Sequence, residues 1–91
     1  AAFDPRPQAR NQFAADFGAS THDSIEALAA DPSVEVVYVA SPHGYHAAQT
    51  RVCARHGKHV LVEKPMALTL ADCDAMVEEC RVAGVRLLVG H

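Results

Sequence analysis

Short apolar segments alternate with stretches of helical periodicity along most of this chain. The apolar segments at residues 34–40, 59–62 and 85–89 have the composition of buried strands. The nearly continuous apolar run at residues 34–40 predicts a strand that is covered on both faces. The stretches between the apolar segments have the length of one helix each, and turn residues separate them. This alternation predicts a doubly wound α/β fold, in which right-handed crossovers build a parallel sheet. The pattern alone does not separate a dinucleotide-binding domain from a flavodoxin-like or methyltransferase-like one.

Local signals predict where the helices begin and end. Residues 23–26 have the pattern of an N-cap with an acidic residue three positions on, and Thr69 with Asp72 repeats it. Gly18 and Gly84 follow helical stretches in the position of a C-terminal cap. We therefore expect four helices, over residues 7–17, 24–30, 45–55 and 70–83. In the third helix we expect Tyr45, Ala48 and Val52 to face inward. In the fourth we expect an apolar face of five residues, which are Leu70, Cys73, Met76, Val77 and Cys80.

The composition excludes several classes of protein. The chain has 91 residues, of which 49% are hydrophobic and 21% charged, as in an ordinary soluble globular unit. A net charge of −3 gives no basic field, and no apolar run is long enough to span a bilayer, so neither nucleic acid nor membrane is expected as a partner. Three cysteines, Cys53, Cys73 and Cys80, do not have zinc-site spacing. We expect reduced, buried thiols, which favours a cytoplasmic location.

The tripeptide Glu63-Lys64-Pro65 is the strongest candidate for a functional site. It follows the strand predicted at residues 59–62, and ligands bind at the carboxyl ends of strands in open parallel sheets. A lysine at that position is a candidate proton donor or acceptor. The alternative is an ordinary surface lysine.

Two longer motifs carry a family resemblance. The sequence VVYVASPHGYH at residues 36–46, followed by GKHVLVEKP at residues 57–65, resembles the Gfo/Idh/MocA family of NAD(P)-dependent oxidoreductases. The segments FDPRP near the start and LLVGH at the end are similar to the same family. The resemblance implies a Rossmann-like fold, NAD as cofactor with NADP as the alternative, and a dehydrogenase that forms homo-oligomers.

The resemblance also implies a reaction. It is hydride transfer between NAD(H) and a hydroxyl or carbonyl carbon of a small-molecule substrate, which is a sugar, polyol or cyclic diol. Within the family, the residues around Ser41 and Lys64 are similar to those of phthalate-dihydrodiol and dihydroxyphthalate dehydrogenases. A non-catalytic NAD-binding sensor or corepressor of the same fold is the alternative.

Site roles follow from the resemblance residue by residue. Lys64 is the catalytic candidate, because a hydride leaves an alcohol carbon only as the hydroxyl proton is removed, or because a charged lysine stabilises the developing alkoxide. Asp4 is expected to bind the adenosine ribose, although Arg6 nearby could accommodate a 2′-phosphate and Asp4 could instead cap the turn before Pro5. Glu63 contacts the nicotinamide ribose or orients Lys64. The other cofactor-binding candidates are Ser41, Pro42, His43, His46 and Pro65. His43 and His46 lack further ligands at metal-binding spacing, so no metal is expected.

The alignment to the family predicts that part of the fold is missing from these residues. No G-x-G-x-x-G motif occurs, and in the family a first strand and a glycine-rich turn precede the strand that ends at Asp4. We therefore expect residues 1–91 to be a partial dinucleotide-binding domain without its C-terminal substrate domain. Its strands should form two half-sheets, because the family's first strand lies between them. Such a chain should not fold stably alone, which near-UV circular dichroism of residues 1–91 would test.

Overall fold

The computed structural model describes residues 1–64 and 66–90, except for the side chain of His43. Pro65 and His91 lie outside this described part, and so does the cofactor-binding role predicted for Pro65. The chain divides into two compact units, residues 1–34 and residues 35–91. Among the described residues, no helix is long and apolar enough to cross a membrane.

The first unit is a pair of short parallel strands with two helices. Its elements are β1 (Ala2–Phe3), α1 (Pro7–Phe17), β2 (Thr21–His22) and α2 (Ile25–Ala30). Helix α1 begins with a proline, whose fixed φ suits the first helical turn, and it ends at Gly18, where φ is 61°. Helix α2 begins at the cap Ser24, whose Oγ accepts a hydrogen bond from the Ala27 N–H at 3.0 Å.

The second unit is a three-stranded parallel sheet with two helices and a short 3₁₀ turn. Its elements are β3 (Val36–Val39), a 3₁₀ turn (His43–Tyr45), α3 (His46–Arg55), β4 (His59–Glu63), α4 (Leu70–Ala83) and β5 (Leu87–Gly90). The strands lie in the order β3-β4-β5. Successive crossovers in one direction across a parallel sheet place their helices on the same face, and α3 and α4 pack side by side.

The strand arrangement confirms the predicted parallel α/β class and the division into half-sheets. β1 and β2 form one two-stranded sheet, and β3, β4 and β5 form a separate three-stranded sheet. Within the described part of the chain, no strand pairs with both.

One face of β3 is exposed, contrary to the prediction that this strand is covered on both faces. Val37 and Val39 are 6% and 3% exposed, whereas Val36 and Tyr38 are 58% and 54% exposed. The prediction was wrong because both helices of this unit lie on one face of the sheet. The opposite face carries Tyr38 from β3, Leu61 from β4 and Leu88 from β5, which the register sets side by side.

The predicted inward faces of α3 and α4 also need correction. In α3 the buried residues are His46, Thr50, Cys53 and Ala54, whereas Tyr45 and Ala48 are exposed. In α4 the buried residues are Met76 and Cys80, whereas Leu70 and Val77 are exposed. Hydrophobicity alone does not determine which face of a helix is buried. On α3 the buried residues include His46, whose ring nitrogen forms a hydrogen bond.

The cysteines are free thiols, and two of them are buried. Cys53 is on α3 and Cys80 on α4, and both belong to the core between helices and sheet. Burial, reinforced by the neighbouring Cys80, raises the pKa of the Cys53 thiol to about 11. The thiol therefore stays protonated near neutral pH, as a structural cysteine does.

Candidate functional site

The strands of the second unit end at one edge of the sheet, where two loops meet. Val39 of β3 is paired with Val62 of β4, and Glu63 is paired with Gly90 of β5. The Lys64 N–H donates a hydrogen bond to the Gly90 carbonyl at 3.2 Å, so the ladder holds the backbone beyond the end of β4. The loop that begins at Ser41 therefore lies beside the Glu63-Lys64 exit.

The loop between β3 and α3 is closed by hydrogen bonds within itself. The Tyr45 N–H donates to the Pro42 carbonyl at 2.9 Å, which forms the 3₁₀ turn. His46 begins α3, is fully buried, and its Nε2 lies 2.8 Å from the Ser41 carbonyl oxygen. Because a carbonyl oxygen only accepts, Nε2 carries the proton. His46 therefore ties the start of the helix to the end of the strand.

Side chains of α3 support the same loop. The Ser41 hydroxyl donates to Oε1 of Gln49 at 2.5 Å, and Gln49 was not among the residues singled out from sequence. A Cβ placed on Gly44 would lie 3.9 Å from Cδ1 of Leu68, so this loop runs close to the segment that follows Lys64. One turn beyond His46, the buried Thr50 hydroxyl has no hydrogen-bond partner among the described residues.

Glu63 is held by a tyrosine on the neighbouring strand. The Tyr38 hydroxyl donates a hydrogen bond to Oε1 of Glu63. Tyr38 is paired with Leu61, so Glu63, two residues further along β4, lies on the same face of the sheet. The bond to the carboxylate raises the pKa of the Tyr38 phenol, which keeps the phenol protonated. Sequence reasoning missed Tyr38, although its position near the end of the preceding strand was a usable signal.

Lys64 is exposed and is separate from the Tyr38–Glu63 pair. Among the described residues, its ammonium group has no hydrogen-bond or ion-pair partner. The structure therefore gives Glu63 a partner other than Lys64, and it does not support the alternative in which Glu63 orients the lysine. On the β5 side the residue paired with Glu63 is Gly90, which carries no side chain.

In the first unit, Asp4 follows β1 and holds the turn into α1. Its Oδ1 accepts hydrogen bonds from the Arg6 N–H at 2.8 Å and from Arg6 Nε at 3.0 Å, and its Oδ2 accepts from Arg6 Nη2 at 3.0 Å. These hydrogen bonds lower the pKa of Asp4 to about 2. The turn role considered from sequence is therefore present. The ribose role stays a prediction, and the Asp4 side chain is one-third exposed, at 33%.

The predicted site residues are thus divided between the two units. Ser41, Pro42, His46, Glu63 and Lys64 meet at one edge of the second unit, whereas Asp4 lies in the first unit. The backbone of His43 forms part of the 3₁₀ turn. Among the described residues, no group of three or more His, Cys, Asp or Glu side chains could hold a metal ion.

Comparison with known proteins identifies this arrangement. The model of the Gfo/Idh/MocA oxidoreductase family, with an NAD-binding Rossmann fold, matches residues 1–91. A curated relative from Comamonas testosteroni, 1-carboxy-3-chloro-3,4-dihydroxycyclohexa-1,5-diene dehydrogenase, is 50% identical over 92 aligned positions, which cover 100% of this chain and 23% of the relative. The 1,5-anhydro-D-fructose reductase of Ensifer adhaerens is 48% identical over 75% of this chain and 20% of its own length.

A solved structure confirms the Rossmann-like fold. The WlbA dehydrogenase of Bordetella pertussis, in complex with NADH and UDP-GlcNAcA, is 36% identical and superposes with a TM-score of 0.92. The match covers 97% of this chain and 25% of that protein. The chain thus spans about a quarter of the length of the relatives it matches.

Proposed function

Because this chain belongs to the Gfo/Idh/MocA oxidoreductase family, we propose that the protein interconverts an alcohol and a carbonyl with NAD(H). The observation that carries the proposal is the Glu63-Lys64 exit of β4, held beside the loop from Ser41 at the carboxyl edge of a parallel sheet. Ligands bind at that edge in open α/β folds. The Lys64 side chain is exposed there, and among the described residues its ammonium group has no partner, so this group is available to a substrate.

Lys64 is the proposed proton-transfer residue. The bound nicotinamide would supply the hydride acceptor for oxidation of the alcohol carbon and the hydride donor for reduction of the carbonyl carbon. In oxidation, the neutral amine of Lys64 takes the hydroxyl proton as the carbonyl forms; in reduction, the ammonium returns it to the developing alkoxide. A residue positioned for this transfer contributes about 10²–10⁴-fold to the rate.

The loop and the acidic residues are the proposed cofactor contacts. Two hydrogen bonds fix the backbone of the loop from Ser41 to His46: the Pro42 carbonyl accepts one from the Tyr45 N–H, and the Ser41 carbonyl accepts one from the His46 ring. A loop fixed in this way is suited to contact a nicotinamide ribose. Glu63 is the proposed acceptor for a ribose hydroxyl. In the first unit, Asp4 favours NAD, because a carboxylate accepts from the adenosine ribose and repels a 2′-phosphate. Its bond to Arg6 weakens that preference by neutralising part of the charge.

The proposed substrate is a small molecule with a secondary hydroxyl, and a cyclic diol is favoured over a sugar. The relative that is 50% identical has a dihydroxycyclohexadiene in its name, whereas the anhydrofructose reductase is 48% identical over a shorter aligned segment.

The experiment is a titration of the full-length protein with NADH and NADPH, followed by a turnover assay. Quenching of nicotinamide fluorescence gives the two dissociation constants, and we expect NADH to bind more tightly. Absorbance at the nicotinamide band then follows NAD reduction with a panel of cyclic diols, polyols and aldoses. NADH binding without turnover on any panel member would favour the sensor or corepressor alternative. No binding of either nucleotide would refute the proposal.

A further inference from the structure

Tyr38 and Glu63 form a pair on the face of the sheet that α3 and α4 leave uncovered. The two residues come from adjacent strands and lie on the same face, because Tyr38 is in register with Leu61 and Glu63 follows two residues later. The phenol oxygen donates to Oε1 of the carboxylate. Tyr38 is 54% exposed, so it does not belong to the hydrophobic core.

The backbone and the side chain of Glu63 are fixed separately. The ladder to β5 holds the backbone, since Glu63 is paired with Gly90 and the next N–H, that of Lys64, bonds to the Gly90 carbonyl. Tyr38 holds the carboxylate from the β3 side. A glutamate at a strand end otherwise has several freely rotating bonds, and fixing it before a ligand arrives removes part of the ordering cost of binding.

One oxygen of the held carboxylate is left for a ligand. An ionised carboxylate has two oxygens and accepts several hydrogen bonds, and Tyr38 uses Oε1. Within the described part of the chain, no group donates to Oε2. Gly90, the residue paired with Glu63 on β5, carries no side chain.

We infer that Tyr38 is a positioning residue, which holds Glu63 so that its second carboxylate oxygen accepts a hydrogen bond from a ribose hydroxyl of the nicotinamide cofactor. The inference rests on the proposed function, because it takes the ligand of Glu63 to be NAD(H). Tyr38 itself acts through Glu63 and does not touch the reacting atoms. The hydrogen bond to the carboxylate raises the pKa of the phenol, which keeps the proton that Tyr38 donates in place.

A double-mutant cycle in the full-length protein tests this inference, with NADH as the probe. The variants are Tyr38→Phe, Glu63→Ala and the combination of the two, and fluorescence quenching gives each dissociation constant. Because a phenylalanine keeps the ring and removes only the hydroxyl, and because the hydroxyl acts on the ligand only through Glu63, Tyr38→Phe should weaken NADH binding about three- to tenfold, the effect of losing one hydrogen bond of ordinary strength. In the Glu63→Ala background the same change should have no further effect.

Two further readouts separate positioning from a general structural effect. Tyr38→Phe should raise KM for NAD and leave kcat unchanged, since the proposed proton transfer belongs to Lys64. Its thermal unfolding midpoint should match that of the unmodified protein. Glu78→Ala is the matched control, because Glu78 is an exposed carboxylate on α4 that pairs with Arg81, and its loss should not alter NADH binding.

The outcomes are distinct. If Glu63→Ala weakens NADH binding and Tyr38→Phe does not, or if the two effects simply add, the positioning role is wrong while the proposed function stands. If the protein binds NADH but Glu63→Ala has no effect, the ribose contact of Glu63 is wrong and the role of Tyr38 is lost with it. If the protein does not bind NADH at all, the proposed function itself fails.

Discussion

His46 serves the candidate site without facing solvent. Its ring is fully buried, and its Nε2–H donates a hydrogen bond to the Ser41 carbonyl at 2.8 Å. A direct contact between His46 and the cofactor therefore stays a prediction, whereas its support of the loop is a property of the structure. Sequence spacing alone placed His46 at the start of a helix, but it could not show which of its neighbours the ring would meet.

Two carboxylates in the first unit, those of Asp31 and Asp4, should make the free energy of unfolding depend on pH in acid. Oδ1 of Asp31 accepts from the Ser33 N–H at 2.9 Å and the Ser33 hydroxyl at 2.7 Å, and Oδ2 is 3.0 Å from Nε2 of His22. These hydrogen bonds lower the pKa of Asp31 to about 2, and the two from Ser33 have the largest effect. Because the folded pKa lies below the unfolded value of about 3.9, the stabilisation is present above pH 4 and is lost as pH falls toward 2.

We predict that Asp31→Asn destabilises the full-length protein at pH 7 and flattens the loss of stability between about pH 4 and pH 2. Ser33→Ala removes one of the donors and should reproduce part of the effect. Urea unfolding at a series of pH values measures both. Asp4 titrates in the same window, so part of the acid sensitivity should remain in Asp31→Asn. An unchanged pH profile in Asp31→Asn would contradict the assignment.

At the scale of elements, the helix ends were predictable because their causes are local. The cap at Thr69 accepts from the Asp72 N–H at 3.1 Å, and Gly84 ends α4 with φ of 72°, a conformation that glycine adopts without strain. The same local chemistry placed Gly18 after α1. Each of these signals involves residues within a few positions of one another, so sequence alone contains them.

The faces that the helices bury were not predictable in the same way. Sequence periodicity selected Tyr45 and Ala48 as inward-facing, yet Tyr45 precedes α3, and the helix buries His46 and Thr50 instead. Burial of these polar residues depends on the sheet beneath the helix and on the Ser41 carbonyl, which lie elsewhere in the chain. Likewise, the Tyr38–Glu63 pair depends on the register between β3 and β4, and no property of either segment alone specifies it.

The cap of α4 gives a prediction for this element. Thr69→Ala in the full-length protein should lower the free energy of unfolding by about 1 kcal/mol, because the Asp72 N–H loses its acceptor. Thr69→Ser keeps a hydroxyl in the same place and is the matched control. Chemical denaturation measures both variants. Equal losses for alanine and serine would show that packing of the threonine methyl, rather than the cap, stabilises this end of α4.

At the scale of the whole molecule, sequence motifs predicted the class of fold and its separation into two sheets. The two-stranded and three-stranded sheets correspond to the two half-sheets expected from the family topology. One face of the larger sheet is exposed at Val36, Tyr38 and Leu88, which apolar composition alone did not predict. The instability of residues 1–91 on their own and the assignment of these residues as a partial domain stay predictions.

Lys64 is proposed to transfer the proton at a nicotinamide site. The most direct measurement compares turnover and NADH affinity of Lys64→Ala in the full-length protein with those of Lys58→Ala. Lys58 precedes β4 and so lies at the opposite end of that strand, which makes it a matched control. We predict that Lys64→Ala lowers kcat about 10²–10⁴-fold while the NADH dissociation constant stays within about threefold, and that Lys58→Ala changes neither. If Lys64→Ala keeps more than about a tenth of the original turnover, Lys64 is not the proton-transfer residue.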